Sequence, residues 1–176
     1  MPNLDQSRRF LPLTIAVVTI SDTRDLNDDR SGQVLADKLT AHGHTLYGRS
    51  LVRDDQPMIE AELRRLLAEP SVQVILTTGG TGVTGRDVTP EAVRAVAYKE
   101  IPGFGELFRQ LSYAAIGTST IQSRALACVA AGKYVFALPG SPSACRDAWD
   151  WILAQQLDSR HRPCNFAELF PRLGES

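Results

Sequence analysis

The sequence predicts a three-layer α/β/α fold with a mostly parallel central sheet. Nearly continuous apolar, β-branched runs are typical of strands that are covered on both faces. Stretches with helical periodicity alternate with these runs through the first 99 residues, as right-handed βαβ units require. With 176 residues, 43% of them apolar, the chain has the size of a single domain. We expect one domain at residues 13–166, a flexible N-terminal segment at 1–12 and a C-terminal tail at 167–176.

Three strands are predicted in the first half of the chain, at residues 13–20, 45–52 and 72–79. A helix over 33–42 follows the first strand, and Gly43 is a plausible C′ residue. A second helix is opened by Pro57 and closed by Pro70. Asp54 and Asp55 are equally good caps for that helix, and sequence spacing does not choose between them.

The second half predicts further helices and one strand. Thr89, before Pro90, is a strong start for a helix that runs to residue 99. Two shorter helices are predicted at 106–112 and 123–131, with a loop between them, and a buried strand follows at 133–138. Ser143 is predicted to start the last helix. One side of that helix is apolar and consists of Cys145, Ala148, Trp149, Ile152 and Leu153.

Composition excludes several classes of protein. The formal net charge is -1 and the basic residues are dispersed, so nucleic acid is not an expected partner. No apolar run approaches the ~20 residues of a membrane-spanning helix, and we expect a cytoplasmic protein with no membrane partner. Cys128 and Cys145 are expected to be small buried hydrophobes, whereas no role is predicted for Cys164.

Polar clusters follow the predicted strands, and in open parallel sheets ligands bind outside the carboxyl ends of the strands. We therefore expect the clusters to lie on one edge of the sheet and to form one site. The clusters are Ser21 with Asp22, Asp54 with Asp55, the segment 78–87, and Pro139, Gly140 and Ser141.

The segment 77–93, TTGGTGVTGRDVTPEAV, is the most informative motif. Its glycines fit GxGxxG formally, but the dinucleotide fingerprint sits on the first strand and opens a helix, whereas this loop follows the third strand. No P-loop motif is present. Backbone N–H groups of Gly79, Gly80, Thr81 and Gly82 instead favour phosphate binding.

Asp87 either is an acid favoured near a helix N-terminus or holds a metal. Because Thr89 is the expected cap, Asp87 is better placed to hold Mg²⁺ against a phosphate, with Asp54 as the second carboxylate. Ser123 and Arg124 are expected at a helix start. There they either anchor an anion through hydroxyl and amide groups or form an ordinary N-cap.

These motifs together resemble the MoaB/Mog family of molybdopterin-binding domains. The resemblance covers residues 13–166 and rests on SD at 21–22, DRSG at 29–32, TTGGTG with RDVTPEA, SR at 123–124 and PGSP at 139–142. Segment 103–125, GFGELFRQLSYAAIGTSTIQSRA, and the ending RPCNF resemble the MoaB branch in particular. At 52–55 this chain has VRDD where many members have VPDE.

The resemblance implies a homotrimer or homohexamer that binds molybdopterin. In catalytic members, ATP and Mg²⁺ are used to adenylylate molybdopterin. Asp54 and Asp87 match the two acidic positions of that active site, and Ser123 matches a serine that contacts the substrate. Gly79, Gly80, Thr81, Gly82 and the turn 139–141 match the binding loops. A non-catalytic molybdopterin carrier and a nucleotide-binding protein of another pathway are the alternatives.

Overall fold

A computed structural model of the chain describes residues 4–175 and contains one six-stranded sheet in the order β2-β1-β3-β6-β5-β4. The strands are β1 Thr14–Ile20, β2 Thr45–Val52, β3 Val74–Thr78, β4 Lys99–Glu100, β5 Leu126–Ala130 and β6 Lys133–Leu138. Strands β2, β1, β3 and β6 run parallel to one another, and β5 pairs antiparallel with β6 and β4. The predicted mostly parallel sheet is confirmed.

Helices cover both faces of this sheet and complete the three predicted layers. They are α1 Arg30–Ala41, α2 Gln56–Ala68, α3 Thr89–Val96, α4 Pro102–Ile116 and α5 Pro142–Ala148. Alternate residues of β1 enter two separate cores: Ile15 and Val17 pack with α1, α4 and α5, and Val18 packs with α2 and α3. Burial on both faces explains why this strand has no polar alternation.

Parallel pairing brings the carboxyl ends of three strands to one edge of the sheet. Thr19 of β1 is level with Thr78 of β3, and Thr78 is level with Leu138 of β6. The loops that follow these strands therefore begin side by side. The edge at which they meet is the one expected to carry the ligand site.

The predicted helix over 123–131 is wrong, because most of this segment forms β5. Leu126 to Ala130 pair with β6 through a tight turn in which Ala131 and Gly132 have φ of 47° and 72°. Positive φ at both turn residues suits a two-residue hairpin connection. A short apolar run does not reveal by its periodicity whether it is a buried helix or a buried strand.

Two other helices differ from their predicted bounds. Helix α4 starts at Pro102 and is longer than the predicted 106–112. Gly105 does not form a turn before the helix but allows the helix to pack closely on the segment before β5. A Cβ at this position would lie 2.4 Å from the Ala125 carbonyl oxygen. Helix α3 ends at Val96 and not at residue 99, because the residues that follow pair with β5. The Tyr98 N–H donates to the Val129 carbonyl of β5 at 2.8 Å.

The structure assigns the helix caps: Gly43 is the predicted C′ residue of α1, with φ of 97°, and of the two candidate caps for α2 the structure selects Asp55. Asp55 caps α2 by accepting from the Met58 N–H at 3.0 Å, which leaves Asp54 free. The cap of the last helix is Ser141 and not Ser143, because the Ser141 hydroxyl accepts from the Ala144 N–H. Thr89 is not a side-chain cap of α3; its hydroxyl donates to the Gly79 carbonyl at 2.8 Å.

Helix α5 continues through a π-helical turn at Trp149–Leu153 and a last α-helical turn at Ala154–Gln156. Its predicted apolar side is buried as expected. All three cysteines are free, with Cys128 and Cys145 buried and Cys164 exposed. None of the helices that the structure describes has the length and apolarity needed to cross a membrane.

The terminal segments pack on the domain. Residues 1–3 of the predicted N-terminal segment and Ser176 of the tail lie outside the described residues. Within the remainder, the Asp5 N–H donates to the Arg160 carbonyl at 2.9 Å. In the tail, Phe170 of a 3₁₀ helix at Ala167–Arg172 contacts the Tyr134 ring with centroids 5.1 Å apart.

A buried ion pair holds the loop between β1 and α1. The Asp29 carboxylate is fully buried and accepts from Arg49 at 2.7 Å, from the Thr19 hydroxyl at 2.8 Å and from the Gly32 N–H at 2.9 Å. Burial alone would raise the pKa of Asp29, but these hydrogen bonds and the charge of Arg49 hold it below its usual value. The helix therefore begins at Arg30, inside the predicted loop.

Substitution of Asp29 tests how much its carboxylate contributes to the free energy of unfolding. We expect Asp29→Asn to lower the free energy of unfolding at pH 7 by about 3 kcal/mol, because Arg49 loses its buried partner. Since the folded-state pKa is lowered, the stabilisation is present above the unfolded-state pKa and is lost as pH falls through the folded-state value. Urea unfolding of both proteins from pH 7 to pH 3 should show the difference shrinking. Exposed Asp28→Asn is the control, and an equal loss there would contradict the assignment.

Candidate functional site

A cavity of roughly 400 Å³ opens at the carboxyl edge of the sheet. Its walls come from the glycine loop at 80–82, from α4, from the 3₁₀ helix Gly117–Gln122, from the turn 139–141 and from α5. We call it the site cavity. Eight of the predicted site residues line it, namely Gly80, Thr81, Gly82, Asp87, Ser123, Pro139, Gly140 and Ser141. The glycine loop and the distant turn near residue 140 thus share one cavity, as expected.

Gly79 lies behind the site cavity, where the three strand ends are packed tightly. It has φ of 108°, and a Cβ at this position would lie 2.2 Å from the Ile20 carbonyl oxygen. A Cβ on Gly140 would in turn lie 3.1 Å from the Gly79 Cα. Both positions need glycine because the backbones of two loops are in direct contact here, and this contact sets the position of the glycine loop.

Asp87 lines the site cavity and is held by its own loop. One carboxylate oxygen, Oδ2, accepts from the Thr84 N–H at 2.8 Å and from the Thr84 hydroxyl at 2.6 Å. Burial would raise the pKa of Asp87, but these bonds, the Gly82 N–H and the charge of Arg124 bring it below its usual value. The Asp87 carboxylate is therefore ionised at neutral pH and is held in a defined orientation.

Asp54 lies beneath the glycine loop and not in the wall of the site cavity. A Cβ on Gly80 would lie 2.8 Å from Asp54 Oδ1, and the Val88 N–H approaches the same oxygen at 3.5 Å. Burial, together with the negative charges of Asp87 and Asp22, raises the pKa of Asp54. Its charge is thus destabilised in the free protein.

Ser21 and Asp22 support the neighbouring loop and do not line the site cavity. The Ser21 hydroxyl accepts from the N–H groups of Thr23 and Arg24, both at 3.3 Å. Asp22 accepts from the Asp54 N–H at 3.3 Å and forms an ion pair with Arg86. Both residues thus join the loop after β1 to the segments that carry Asp54 and Asp87.

Ser123 and Arg124 precede β5 and do not start a helix, so the helix amides expected there do not exist. Because β5 is antiparallel, its first residues lie at the same edge as the ends of β3 and β6, and Ser123 reaches the site cavity. Arg124 is turned toward the outside of the glycine loop. Its guanidinium donates to the Gly82 carbonyl at 2.6 Å and to the Asp87 carbonyl, and pairs with Glu91.

Sequence reasoning missed the walls contributed by α4 and α5. Phe108, Ser112 and Ala115 lie on one face of α4, and Asp147 projects from α5 one turn after Ser143. Helical spacing was visible in the sequence, but nothing local showed that these two faces oppose each other. The site cavity is a slot between two helices with the glycine loop at one side.

The donor set for a metal ion consists of carboxylates. No group of three or more His, Cys, Asp or Glu side chains placed to hold a metal occurs among residues 4–175. Asp54 and Asp87 are close enough for the charge of Asp87 to raise the pKa of Asp54. Two hard oxygen donors fit Mg²⁺ when phosphate and water supply the other ligands.

The sheet and the site cavity define the class of α/β proteins whose ligand site lies where parallel strands end. Within this class, the chain belongs to the MoaB/Mog family, because the family model described as a probable molybdopterin binding domain matches residues 16–159. The resemblance given by the motifs is confirmed.

The relatives agree with this assignment. The chain is 48% identical over 160 residues to molybdenum cofactor biosynthesis protein B of Escherichia coli K12, covering 91% of this chain and 94% of that one. A crystal structure of a molybdenum cofactor biosynthesis protein B superposes with a TM-score of 0.86 at 38% identity, covering 96% and 100%. The tungsten cofactor synthesizing protein MoaB of Pyrococcus furiosus has a TM-score of 0.74 at 31% identity, covering 82% and 92%.

The packing of Gly79 gives a stability prediction. Gly79→Ala should lower the free energy of unfolding by roughly 2–4 kcal/mol, because a Cβ meets the Ile20 carbonyl and φ is positive. Gly85 lies in the same loop with open space around its Cα and no positive φ. Gly85→Ala should therefore stay within about 0.5 kcal/mol of the parent in chemical denaturation. Similar losses in both variants would refute the crowding at Gly79.

The raised pKa of Asp54 predicts a gain in stability on substitution, whereas the lowered pKa of Asp29 predicts a loss. We expect Asp54→Asn to increase the free energy of unfolding at pH 7, because it removes a charge that burial, Asp87 and Asp22 disfavour. A raised folded-state pKa destabilises the protein above that value, and the cost disappears below the unfolded-state pKa. Urea unfolding should thus give the variant a larger free energy of unfolding than the parent at pH 7, and this difference should disappear as pH falls toward 3. A less stable variant at pH 7 would contradict this account.

Proposed function

We propose that this protein acts in molybdenum cofactor biosynthesis, where it binds molybdopterin in the site cavity and adenylylates it with ATP and Mg²⁺. The observation that carries the proposal is the meeting of Gly80, Thr81, Gly82 and Asp87 with the Ser141 turn in one cavity. The family membership and the names of the relatives support the pathway.

The chemistry required is transfer of an adenylyl group between phosphates. A phosphate oxygen of the pterin substrate attacks the α-phosphorus of ATP, a P–O bond forms, the bond to the β-phosphate oxygen breaks, and pyrophosphate leaves with the bonding electrons. Such a reaction depends on positioning and on charge stabilisation, and it needs no protein nucleophile. The buried Cys145 thiol has a pKa raised to about 11 by burial and is not a nucleophile at neutral pH.

The residues of the site divide this work. Backbone N–H groups of the loop 80–82 would bind phosphate oxygens, and the Ser123 hydroxyl lines the same cavity as a further donor. Asp54 and Asp87 would hold Mg²⁺, which when bound neutralises the developing charge on the phosphates. Arg124 positions the loop through the Gly82 and Asp87 carbonyls.

We further propose that the protein works as a homotrimer or homohexamer. Large apolar side chains are exposed on and near the 3₁₀ helix at Gly117–Gln122: Tyr113 is 59%, Ile116 is 55% and Ile121 is 80% exposed. A cluster of exposed apolar residues on one face is typical of a protein interface. Because Ile116 also lines the site cavity, a partner that packs on these side chains would lie beside the opening of the cavity.

A second candidate function is a molybdopterin carrier without catalytic activity. It is favoured by the charge of the site cavity, whose described lining contains Asp87 and Asp147 but no Lys, Arg or His. A triphosphate entering this cavity must rely on backbone amides and on a metal ion for neutralisation. A carrier would bind only the single phosphate of molybdopterin, so the site cavity would have less negative charge to neutralise than with a triphosphate.

Turnover distinguishes the two functions. Incubation with ATP, Mg²⁺ and molybdopterin should release pyrophosphate, and Asp87→Asn should lower the rate by at least ~100-fold, since a metal ligand in the transition state is lost. Asp37→Asn, an exposed change on α1, is the control and should match the parent.

Pyrophosphate release can be followed with a coupled phosphate assay, and molybdopterin binding by fluorescence quenching. Tight molybdopterin binding without pyrophosphate release would establish the carrier and reject the enzyme. ATP binding that does not respond to molybdopterin would reject both functions.

A further inference from the structure

Asp147 is a carboxylate in the site cavity without a protein partner. It projects from α5 on the same face as Ser143 and Ala144, which also line the cavity. No hydrogen bond or ion pair to its carboxylate is found within the described part of the chain, residues 4–175. Burial raises the pKa of Asp147, the nearby Arg146 lowers it, and Asp150 raises it. A ligand that displaces water from this carboxylate has to supply a hydrogen-bond donor in its place.

The other carboxylate of the site cavity differs in this respect. Asp87 already accepts two hydrogen bonds from Thr84 through one oxygen. Asp150, the next acid after Asp147 along the same helix, is paired with Lys38 at 2.7 Å outside the cavity. Asp147 is thus the acid of the site cavity whose two carboxylate oxygens both lack a hydrogen-bond donor among residues 4–175.

The surroundings of Asp147 define the shape and polarity of that ligand. Across the slot, α4 presents Phe108, Ala115 and Ile116 to the cavity, and these side chains form an apolar wall. Phosphate-binding amides lie at a different part of the same cavity, at Gly80 and Gly82. A ligand that fills the whole cavity therefore combines an anionic end with a largely apolar, flat body that has N–H donors on its rim.

We propose that Asp147 is a specificity-determining residue that accepts two N–H groups from the 2-amino-4-oxo edge of a pterin ring held between α4 and α5. This inference rests on the proposed function, since it takes the ring of the bound substrate to be a pterin. An ionised carboxylate offers two acceptor oxygens, and the ring N3–H and the 2-amino group of a pterin offer two parallel donors. Adenine pairs its amino group with a bare ring nitrogen and satisfies only one oxygen.

A pair of ring analogues tests the proposal directly. 6-Hydroxymethylpterin and 6-hydroxymethyllumazine differ at position 2, where lumazine has an oxygen in place of the amino group. Fluorescence titration of the parent protein should show about tenfold or greater preference for the pterin, because the lumazine oxygen would face the carboxylate. Equal affinity for the two rings, or no pterin binding at millimolar concentration, would overturn the proposal.

Variants assign the preference to this side chain. Asp147→Asn removes the charge and one acceptor, and the ratio of the two affinities should fall to within about threefold of unity. Asp150→Asn makes the same chemical change on the same helical segment outside the cavity, and should keep the parental ratio. Thermal unfolding should show both variants folded, since Asp147 has no protein partner to lose and Asp150 forms only an exposed ion pair with Lys38. A parental ratio in Asp147→Asn would refute the assignment.

The outcomes separate this inference from the proposed function. If pyrophosphate release is absent but the ring preference depends on Asp147, the adenylyltransferase fails and the pterin contact stands. If turnover occurs and Asp147→Asn leaves the ring preference unchanged, the enzyme stands and the contact is rejected.

Discussion

The site depends on backbone packing where β1, β3 and β6 end. Gly79 fits between the Ile20 carbonyl and Gly140 with no room for a side chain on its Cα. This contact ties the glycine loop after β3 to the loops after the neighbouring strands. Because the three strands are parallel and in register, the packing of the sheet core fixes the relative positions of all three loops.

Charge in the site is arranged at a cost to stability. Asp54 is partly buried beside Asp87 and Asp22, so its ionised form is disfavoured in the free protein. Asp29, by contrast, is buried with Arg49 and stabilises the loop after β1. Carboxylates whose pKa is perturbed by burial and by neighbouring charges cluster at functional sites, so Asp54 marks this edge of the sheet as a candidate functional site.

Two kinds of surface meet in the site cavity. The sheet edge contributes amides, hydroxyls and Asp87, whereas α4 and α5 contribute an apolar slot that contains Asp147. The proposed phosphate binding and the proposed ring recognition therefore rest on different elements, one on loops and one on helices. The segment between the 3₁₀ helix and β5 joins them. Its Ser123 lines the cavity, and its Arg124 holds the glycine loop from outside.

The sequence by itself determined the α/β class, the four parallel strands and the glycine loop, because burial on both faces and glycine spacing are local signals. It also indicated that Asp87 and the turn at Pro139 would share a cavity. Only the tertiary structure decided that Leu126–Ala130 is a strand, that Asp55 caps α2 and leaves Asp54 free, and that Arg124 faces the loop carbonyls. It alone showed Asp147 opposite α4. Strand pairing, cap choice and opposing helix faces depend on residues distant in the chain, so no local pattern contains them.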